Sequence, residues 1–303
     1  MAAVIHNSII NRRDFVKGGL AAIGAVVTFG GCASPSARQS RKDPTTARWA
    51  MLSDTHIPED ANNNYRGFYP CQNLEKIVSD VISNAPDAVA ITGDLARLEG
   101  KPGDYANLKK LLTPLAEQKP VFLALGNHDH RDNFLKTFDK LPSEKQPVSG
   151  KCVLVAETPP VRLIMLDSLL YTDKTPGLLG RAQRRWLAQY LKKSDNTPTI
   201  LCFHHTLSDG DGDLLDLPRL YEMVKPIRKV KAIVYGHSHV YRFDKYEDIA
   251  LINIPATGYN FDDAQPVGWV EARLGATDGE FILHATAGNT KNDGSLNHLT
   301  WRT

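Results

Sequence analysis

This chain of 303 residues has few cysteines, little net charge and no internal repeat. Its four cysteines form neither a CxxC pair nor a regularly spaced set, which excludes a zinc ribbon and a disulfide scaffold. The formal net charge of +2 at pH 7 excludes the strong electrostatic bias that a nucleic-acid polymer or an anionic membrane surface requires. Without a repeat or a low-complexity stretch, the sequence indicates an ordinary globular protein.

The apolar run over residues 18–31 is too short and too rich in alanine and glycine for a comfortable membrane-spanning helix. It follows Asn11-Arg12-Arg13-Asp14-Phe15-Val16-Lys17, a segment that resembles the twin-arginine export signal. Residues 1–33 are therefore predicted to be a signal peptide read by the twin-arginine export machinery. An amphipathic or anchoring N-terminal segment is the alternative. The protein is expected to be exported to the periplasm or cell envelope.

Cys32 ends the apolar run in a context that resembles a lipoprotein processing site, although Phe29 stands where leucine is usual. A lipid anchor through Cys32 and ordinary cleavage after Ala37 fit the sequence about equally well. Residues 34–46 are polar and contain proline, and are predicted to be a linker. The twin-arginine route carries folded proteins, so a metal site in the exported domain would be filled before export.

Seven of the ten histidines lie in or beside five short motifs, a concentration that random scatter does not explain. Each motif follows a short apolar run that is typical of a buried strand, and α/β sheets place their ligands at such strand ends. Carboxylate, amide and imidazole groups together suit divalent transition metals. The motifs are Asp54-Thr55-His56, Gly93-Asp94, Gly126-Asn127-His128-Asp129, His204-His205 and Gly236-His237-Ser238-His239.

Apolar residues at three- and four-residue spacing predict helices over 74–83, 104–118 and 181–192. Their alternation with the strands indicates a layered α/β domain. From about Ile249 onward the pattern is of strands alone, which predicts a second, mixed or antiparallel sheet packed on the first. Because the motifs span residues 54–239, the stretch 47–303 is predicted to be one catalytic domain.

Phosphate esters resist attack because their negative oxygens repel nucleophiles. Two adjacent cations overcome this by binding those oxygens and by lowering the pKa of a bound water. A pair of cations needs a shared ligand, and Asp94 is the candidate for the carboxylate bridge. The ligand set suits Mn, Fe, Zn or Co without distinguishing between them, and it contains no thiolate.

The series DxH, GD, GNHD, H and GHxH resembles the calcineurin-like metallophosphoesterase superfamily, as does the segment 180–187. This resemblance implies a four-layer α-β-β-α fold, in which two mixed β-sheets pack as a sandwich flanked by helices. It also implies that His128 donates a hydrogen bond to the phosphoryl group and helps to protonate the leaving oxygen, with Asp129 orienting or polarising His128. The implied ligands are Asp54, His56, Asp94 and His239 for one metal, and Asp94, Asn127, His204 and His237 for the other.

Arg97 stands where phosphoprotein phosphatases have aspartate and purple acid phosphatases have a tyrosine ligand. The nearest resemblance is to class III cyclic-nucleotide phosphodiesterases and glycerophosphodiesterases, although Thr206 replaces a proline frequent there. The sequence thus predicts hydrolysis of a small phosphodiester by in-line attack of a metal-bound hydroxide. A phosphomonoesterase acting on a nucleotide or sugar phosphate is the alternative. A non-catalytic scaffold is disfavoured because every ligand and His128 are retained.

Two questions stay open at this stage. His205 fits equally well a role in supporting a ligand or contacting substrate and a role as an ordinary core residue. The loops between the motifs, at 57–70, 170–180 and 206–216, are expected to carry substrate specificity, but their sequences name no substrate.

Overall fold

The computed structural model describes residues 45–138 and 147–303. The predicted signal peptide at 1–33, including Cys32, and nearly all of the predicted linker at 34–46 lie outside these residues. Within the described ranges, no helix combines the length and the apolar character that crossing a membrane requires.

Two mixed sheets of six strands each form the centre of the molecule, which confirms the predicted fold class. In chain order the strands are β1 Thr46–Leu52, β2 Ala88–Ile91, β3 Val121–Leu123, β4 Leu154–Thr158, β5 Val161–Met165, β6 Thr199–Cys202, β7 Val230–Tyr235, β8 Arg242–Tyr246, β9 Ile249–Asn253, β10 Pro266–Gly275, β11 Asp278–Gly288 and β12 Leu296–Thr300. The first sheet has the order β12-β11-β10-β1-β2-β3, and the second has the order β4-β5-β6-β7-β9-β8.

Helices cover the outer face of each sheet. Three apolar clusters hold these layers together: one lies under the helices on each sheet, and the third lies between the two sheets. The helices are α1 Pro70–Asn84, α2 Pro102–Ala116, α3 Arg131–Phe138, α4 Gly180–Lys193 and α5 Leu217–Val224. The first three pack on the first sheet and the last two on the second. Between the sheets, Trp49 and Phe122 meet Met165 in one buried cluster. Burying each such side chain contributes about 1.5–3 kcal/mol, so the inner layer is a major stabilising term.

The predicted helices lie within the observed α1, α2 and α4 to within a few residues. Helix α1 begins earlier than predicted because Pro70 occupies its first turn, where a missing N–H costs nothing. Helix α2 begins after Lys101, whose backbone N–H donates to the Asp104 carboxylate at 3.1 Å. The short helix α5 was not predicted, because eight residues carry too little periodicity.

The strands that follow Ile249 do not form a sheet of their own, so that part of the prediction was wrong. Strand β10 pairs antiparallel with β1 in the first sheet, and β9 pairs parallel with β7 in the second. The sequence pattern identified these strands but not their partners, which lie up to 229 residues away, as between Thr46 and Gly275. Strands β4, β5, β8 and β12 were not predicted. Edge strand β8, with the sequence RFDKY, is rich in charge rather than in apolar residues.

Parallel pairing brings the ends of five strands to one edge of the sandwich. Strands β1, β2 and β3 are neighbours and run parallel, as do β6 and β7 in the other sheet. The loops that leave these five strands are the loops that carry the five motifs. The two sheets therefore present the motifs to each other across the same edge.

Candidate metal centre

The first group of predicted ligands joins the loops after β1 and β7. The Nε2 atoms of His56 and His239 lie 3.1 Å apart. The Oδ1 atom of Asp54 lies 3.3 Å from Nε2 of His239. All three side chains are buried, with exposed fractions of 0–2%. Three ligand atoms thus converge on a single point below the surface.

The second group is centred on Nε2 of His204. This nitrogen lies 3.2 Å from Oδ2 of Asp94 and 3.2 Å from Oδ1 of Asn127. It also lies 3.2 Å from Nδ1 of His237. Two carboxylate or amide oxygens and two imidazole nitrogens therefore converge here as well.

Asp94 belongs to both groups. Its Oδ2 atom lies 3.2 Å from Nε2 of His204 and 3.7 Å from Nε2 of His56. Its Oδ1 atom accepts a hydrogen bond from the backbone N–H of His128 at 2.9 Å, which fixes the carboxylate plane. A carboxylate oxygen placed between two sets of ligands has the position that a bridging ligand requires.

The hydrogen-bond pattern shows that these groups suit cations. Nδ1 of His56 lies 3.2 Å from the carbonyl of Arg97, and Nδ1 of His239 lies 2.6 Å from that of Tyr259. A carbonyl only accepts, so both Nδ1 atoms donate a hydrogen and both Nε2 atoms are left to face the site. These two Nε2 atoms face each other, and among the described residues Oδ1 of buried Asp54 has no hydrogen-bond partner. A cation between these three atoms would satisfy all of them.

The pKa values of the site residues also indicate that the site suits a bound cation. Burial lowers the pKa of His56 to about 3 and that of His237 to about 4, so both imidazoles are neutral near pH 7. Burial opposes ionisation of Asp54, yet His239 and His204 hold the pKa of Asp54 below its ordinary value. For His204, the Asp94 and Asp54 carboxylates outweigh burial and raise the pKa to about 9. The position beside these carboxylates therefore attracts positive charge.

The backbone at the site is strained. In the described part of the chain nine non-glycine residues have positive φ, and five of them are predicted ligands: Asp54, His56, Asp94, His237 and His239. Each such residue costs about 1–3 kcal/mol, so the fold holds these side chains in place against local preference. At Gly126 and Gly236 a Cβ atom would collide with the Asp94 and Asp54 carboxylates. Only glycine allows the two loops to approach the ligands this closely.

His128 stands beside the first group, with an imidazole nitrogen within 4.8 Å of ligand atoms of His56 and Asp94. Its Nδ1 lies 2.9 Å from the carbonyl of Leu98 and 3.7 Å from Oδ1 of Asp173. The Asp173 carboxylate is thus paired with Nδ1 of His128, and no sequence motif pointed to this residue. It lies in the loop 170–180, where φ of Asp173 is +57°.

The Asp129 carboxylate, which was expected to orient His128, bonds elsewhere. It accepts hydrogen bonds from the backbone N–H groups of Gly126, Leu95 and Ala96 and from the hydroxyl of Tyr105. Burial and the Asp94 charge raise the pKa of Asp129 to about 7. Its side chain thus joins the loops after β2 and β3, and it does not hydrogen-bond to the His128 ring.

His205 lies behind the ligands rather than among them. Its Nδ1 is 2.7 Å from the hydroxyl of Ser168, and its ring contacts those of His204 and His237 at centroid distances of 5.1 and 4.8 Å. Burial, with smaller contributions from His204 and His237, lowers the pKa of His205 well below its usual range, so the ring is neutral. The loop 206–216 contributes a backbone group: the Gly212 carbonyl lies 3.1 Å from Nε2 of His237.

Comparisons with known proteins agree with this geometry. The calcineurin-like phosphoesterase family matches residues 47–241. A probable cyclic nucleotide phosphodiesterase of Vesicomyosocius okutanii is 29% identical over 225 residues, which cover 72% of this chain and 90% of that protein. A probable glycerophosphodiester phosphodiesterase of Arcobacter nitrofigilis is 26% identical over 198 residues, covering 62% and 70%.

A solved structure shares the fold. The dimetal phosphatase from Danio rerio superposes with a TM-score of 0.66 and 13% identity, over 86% of this chain and 100% of that one. At this identity the likeness concerns the architecture alone, and it agrees with the two six-stranded sheets described above.

Proposed function

The chain belongs to the calcineurin-like phosphoesterase family, and on that premise we propose that it hydrolyses a small phosphodiester with two bound divalent metal ions. The observation that carries the proposal is the position of Asp94 between two groups of buried ligand atoms. We assign one metal to Asp54, His56, Asp94 and His239, and the other to Asp94, Asn127, His204 and His237. Two bound cations supply charge for the phosphoryl oxygens and acidify water.

The residues of the chain itself position and protonate the substrate. Nδ1 of His128 is occupied by the carbonyl of Leu98, so Nε2 is the nitrogen available to the reacting group. We assign His128 the role of donating a proton to the leaving oxygen. Asp129 holds the two loops that carry Asp94 and Asn127 at a fixed separation through its backbone hydrogen bonds.

The preference for a diester rests on the relatives. Both curated proteins compared above bear the name of a phosphodiesterase, one for cyclic nucleotides and one for glycerophosphodiesters. A diester carries a single negative charge, and its two ester groups can each contact the protein.

The test compares bis(p-nitrophenyl) phosphate with p-nitrophenyl phosphate, using metal-free protein reloaded separately with Mn, Zn, Fe and Co. The expected result is metal-dependent turnover with the higher kcat/KM on the diester. A higher value on the monoester would replace the proposal with a phosphomonoesterase. Absence of turnover with every metal, with the metal content verified, would favour a non-catalytic scaffold.

We further propose that residues 47–303 form one catalytic domain and that residues 1–33 direct its export by the twin-arginine route. The support is the arginine pair followed by the apolar run, together with ligands drawn from both sheets of the sandwich. Mass spectrometry of the mature N-terminus tests the second part. An acylated Cys32 would establish a lipid-anchored protein, a start near Arg38 would establish ordinary cleavage, and an intact Met1 would contradict export by this route.

A further inference from the structure

An aromatic surface borders the first group of proposed ligands. The ring of Tyr259 stacks on that of His56 at 4.7 Å, and the ring of Phe261 stacks on that of His239 at 4.3 Å. Tyr65 meets Tyr259 edge to face at 4.7 Å, and Tyr259 meets Phe261 edge to face at 5.6 Å. We call Tyr65, Tyr259 and Phe261 the aromatic wall. It is continuous with the imidazoles that would hold the metal.

The two outer members of the wall are open to solvent, whereas the middle one is not. Tyr259 is 2% exposed, while Tyr65 is 36% and Phe261 is 49% exposed. One face of Phe261 is covered by His239, so the exposed half lies on the side away from that ligand. Exposed aromatic rings grouped beside a reaction centre are a usual mark of a binding surface, whereas single ones carry no such meaning.

The wall is built to keep its shape. The backbone N–H of Gly258 donates to the carbonyl of Asp54 at 2.9 Å, which ties the loop to the end of β1. The Arg66 guanidinium donates to the carbonyl of Phe261 at 2.8 Å and so joins the loop of Tyr65 to that of Phe261. A surface fixed in this way loses little conformational entropy when a ligand stacks on it.

Arg97 lies behind the wall. Its guanidinium carbon is 4.4 Å from the ring centre of Tyr65 and 5.4 Å from that of Tyr259. One terminal nitrogen donates to the Tyr259 hydroxyl at 3.4 Å, and Nε is buried with no hydrogen-bond partner among the described residues. The cation–π contacts hold both tyrosine rings in place. Arg97 therefore supports the wall from within.

We propose that the aromatic wall binds a planar ring carried by one ester group of the substrate, with Phe261 and Tyr65 as the residues that select it. This inference rests on the proposed phosphodiesterase activity. Phe261 is in ring contact with a proposed metal ligand, so a substituent bonded to a phosphoryl group at the metals lies within reach. A flexible polyol would cover the same rings without gaining stacking. The wall thus favours aryl or nucleoside esters over glycerol esters.

The first test measures binding without catalysis. Phenylphosphonate and methylphosphonate, which differ by the ring, are titrated by calorimetry into the metal-loaded protein. The wild type is expected to bind the phenyl compound more tightly. Because an aromatic ring gains affinity by stacking on another ring, Phe261→Ala is expected to lose about tenfold in affinity for that compound alone, which is about 1.4 kcal/mol. Phe261→Trp is expected to retain the preference, and Leu296→Ala, an exposed apolar residue on edge strand β12, serves as the matched control.

The outcomes separate this inference from the function on which it rests. Equal affinity for the two phosphonates, or an unchanged preference in Phe261→Ala and Tyr65→Ala, would overturn the aromatic wall while leaving the metal site intact. Failure to bind either phosphonate and to hydrolyse any diester would instead overturn the phosphodiesterase proposal itself.

A second experiment identifies whether the bound ring is a nucleobase or any planar group. Hydrolysis of 3′,5′-cyclic AMP and of bis(p-nitrophenyl) phosphate is compared in the wild type and in Phe261→Ala. A loss in kcat/KM confined to the cyclic nucleotide supports a nucleobase as the ring, and a loss on both supports any planar ring. No loss on either substrate contradicts the proposal.

Discussion

Two buried carboxylates in this protein have opposite surroundings. Asp54 follows β1 by two residues and Asp167 follows β5 by two residues, and both are 0% exposed. Asp167 accepts hydrogen bonds on both oxygens, from Arg131 at 2.7 and 2.8 Å and from the backbone of Cys152 and Leu169 at 2.9 and 3.0 Å. The Lys151 ammonium lies 3.6 Å away. Within the described part of the chain, Oδ2 of Asp54 accepts one backbone hydrogen bond and Oδ1 accepts none.

The difference teaches how a structural carboxylate is told from a ligand. Burying a charge is costly unless cations or donors compensate it, and Asp167 has both among its own neighbours. Among the described residues Oδ1 of Asp54 faces only imidazole nitrogens, at 3.3–3.9 Å, and no Lys or Arg pairs with this carboxylate, so a bound cation would supply the compensation that Arg131 and Lys151 give to Asp167. Both residues are buried acids, and burial alone does not separate them. The chemistry of the atoms facing them does.

The largest expected effect is that of Asp54→Asn on metal binding. The amide keeps the size of the side chain and removes the charge, so the first group loses its only unshared carboxylate. We expect the bound metal to fall below two ions per chain and diester turnover to fall by more than the ~100-fold that loss of a supporting residue costs. Metal analysis after dialysis and steady-state kinetics measure both quantities.

The unfolding free energy of the metal-free Asp54→Asn protein serves as the control for this prediction. In the metal-free protein, Asp54→Asn is expected to change the free energy of unfolding less than Asp167→Asn does. Arg131 and Lys151 form ion pairs with Asp167, whereas no Lys or Arg of the described residues pairs with Asp54. If the metal-free Asp54→Asn protein were strongly destabilised but still bound its metal, Asp54 would be a structural carboxylate like Asp167. The contrast drawn between the two residues would then be wrong.

The second prediction concerns His128, which lies close to the ligands but is assigned to proton transfer. Replacing it in His128→Gln is expected to lower kcat by about 10²–10⁴-fold, the usual contribution of a general acid. The metal content is expected to stay at two ions, since every assigned ligand remains. Loss of a metal ion in this variant would show that His128 is itself a ligand, as its distance to His56 and Asp94 allows.

The proposed ligand residues could be picked out of the sequence because each follows an apolar strand within a short, recognisable motif, and the structure brings most of their side chains into groups that could hold a metal ion. The supporting residues could not be picked out in this way. Asp173, whose carboxylate is paired with Nδ1 of His128, and Phe261 come from loops whose sequences carry no pattern, and only the folded chain brings them to the site. Asp129 lies in a motif, but its hydrogen bonds to Leu95 and Ala96 depend on how two loops meet.

The fold could also be predicted only in part from the sequence. Apolar runs identified the strands that carry the motifs, since buried strands need apolar residues on both faces. Sheet membership was not readable, because the pairing of β1 with β10 depends on packing between segments far apart in sequence. Edge strand β8 was hidden because a strand with one open side tolerates charged residues such as Arg242 and Lys245.

The third prediction is that Asp167→Asn destabilises the protein by about 3 kcal/mol, because breaking a buried ion pair leaves its partners uncompensated. Arg131 and Lys151 have side chains that are only 23% and 17% exposed, so water replaces the lost carboxylate poorly. Urea unfolding of the metal-free protein measures the change. The metal content of the folded variant is expected to be normal, and a loss of metal would show that Asp167 also positions the site.

The smallest expected effect is the change with pH of the difference in unfolding free energy between the wild type and Asp167→Asn. Burial opposes ionisation of Asp167, but Lys151 and Arg131 outweigh it and lower the pKa of the folded carboxyl below its ordinary 3.8. A carboxyl with a depressed folded pKa stabilises the protein above its unfolded pKa, and this contribution is lost as the pH falls through the folded value. The difference between wild type and Asp167→Asn should therefore be constant from pH 7 to about 5 and narrow below about 4. Urea unfolding at each pH measures it, and a variant at an exposed loop residue, Asp263→Asn, serves as the control. A difference that persisted undiminished at the lowest pH where both proteins fold would mean that Asp167 acts through the geometry of its hydrogen bonds. Charge would then not be what distinguishes it from Asp54.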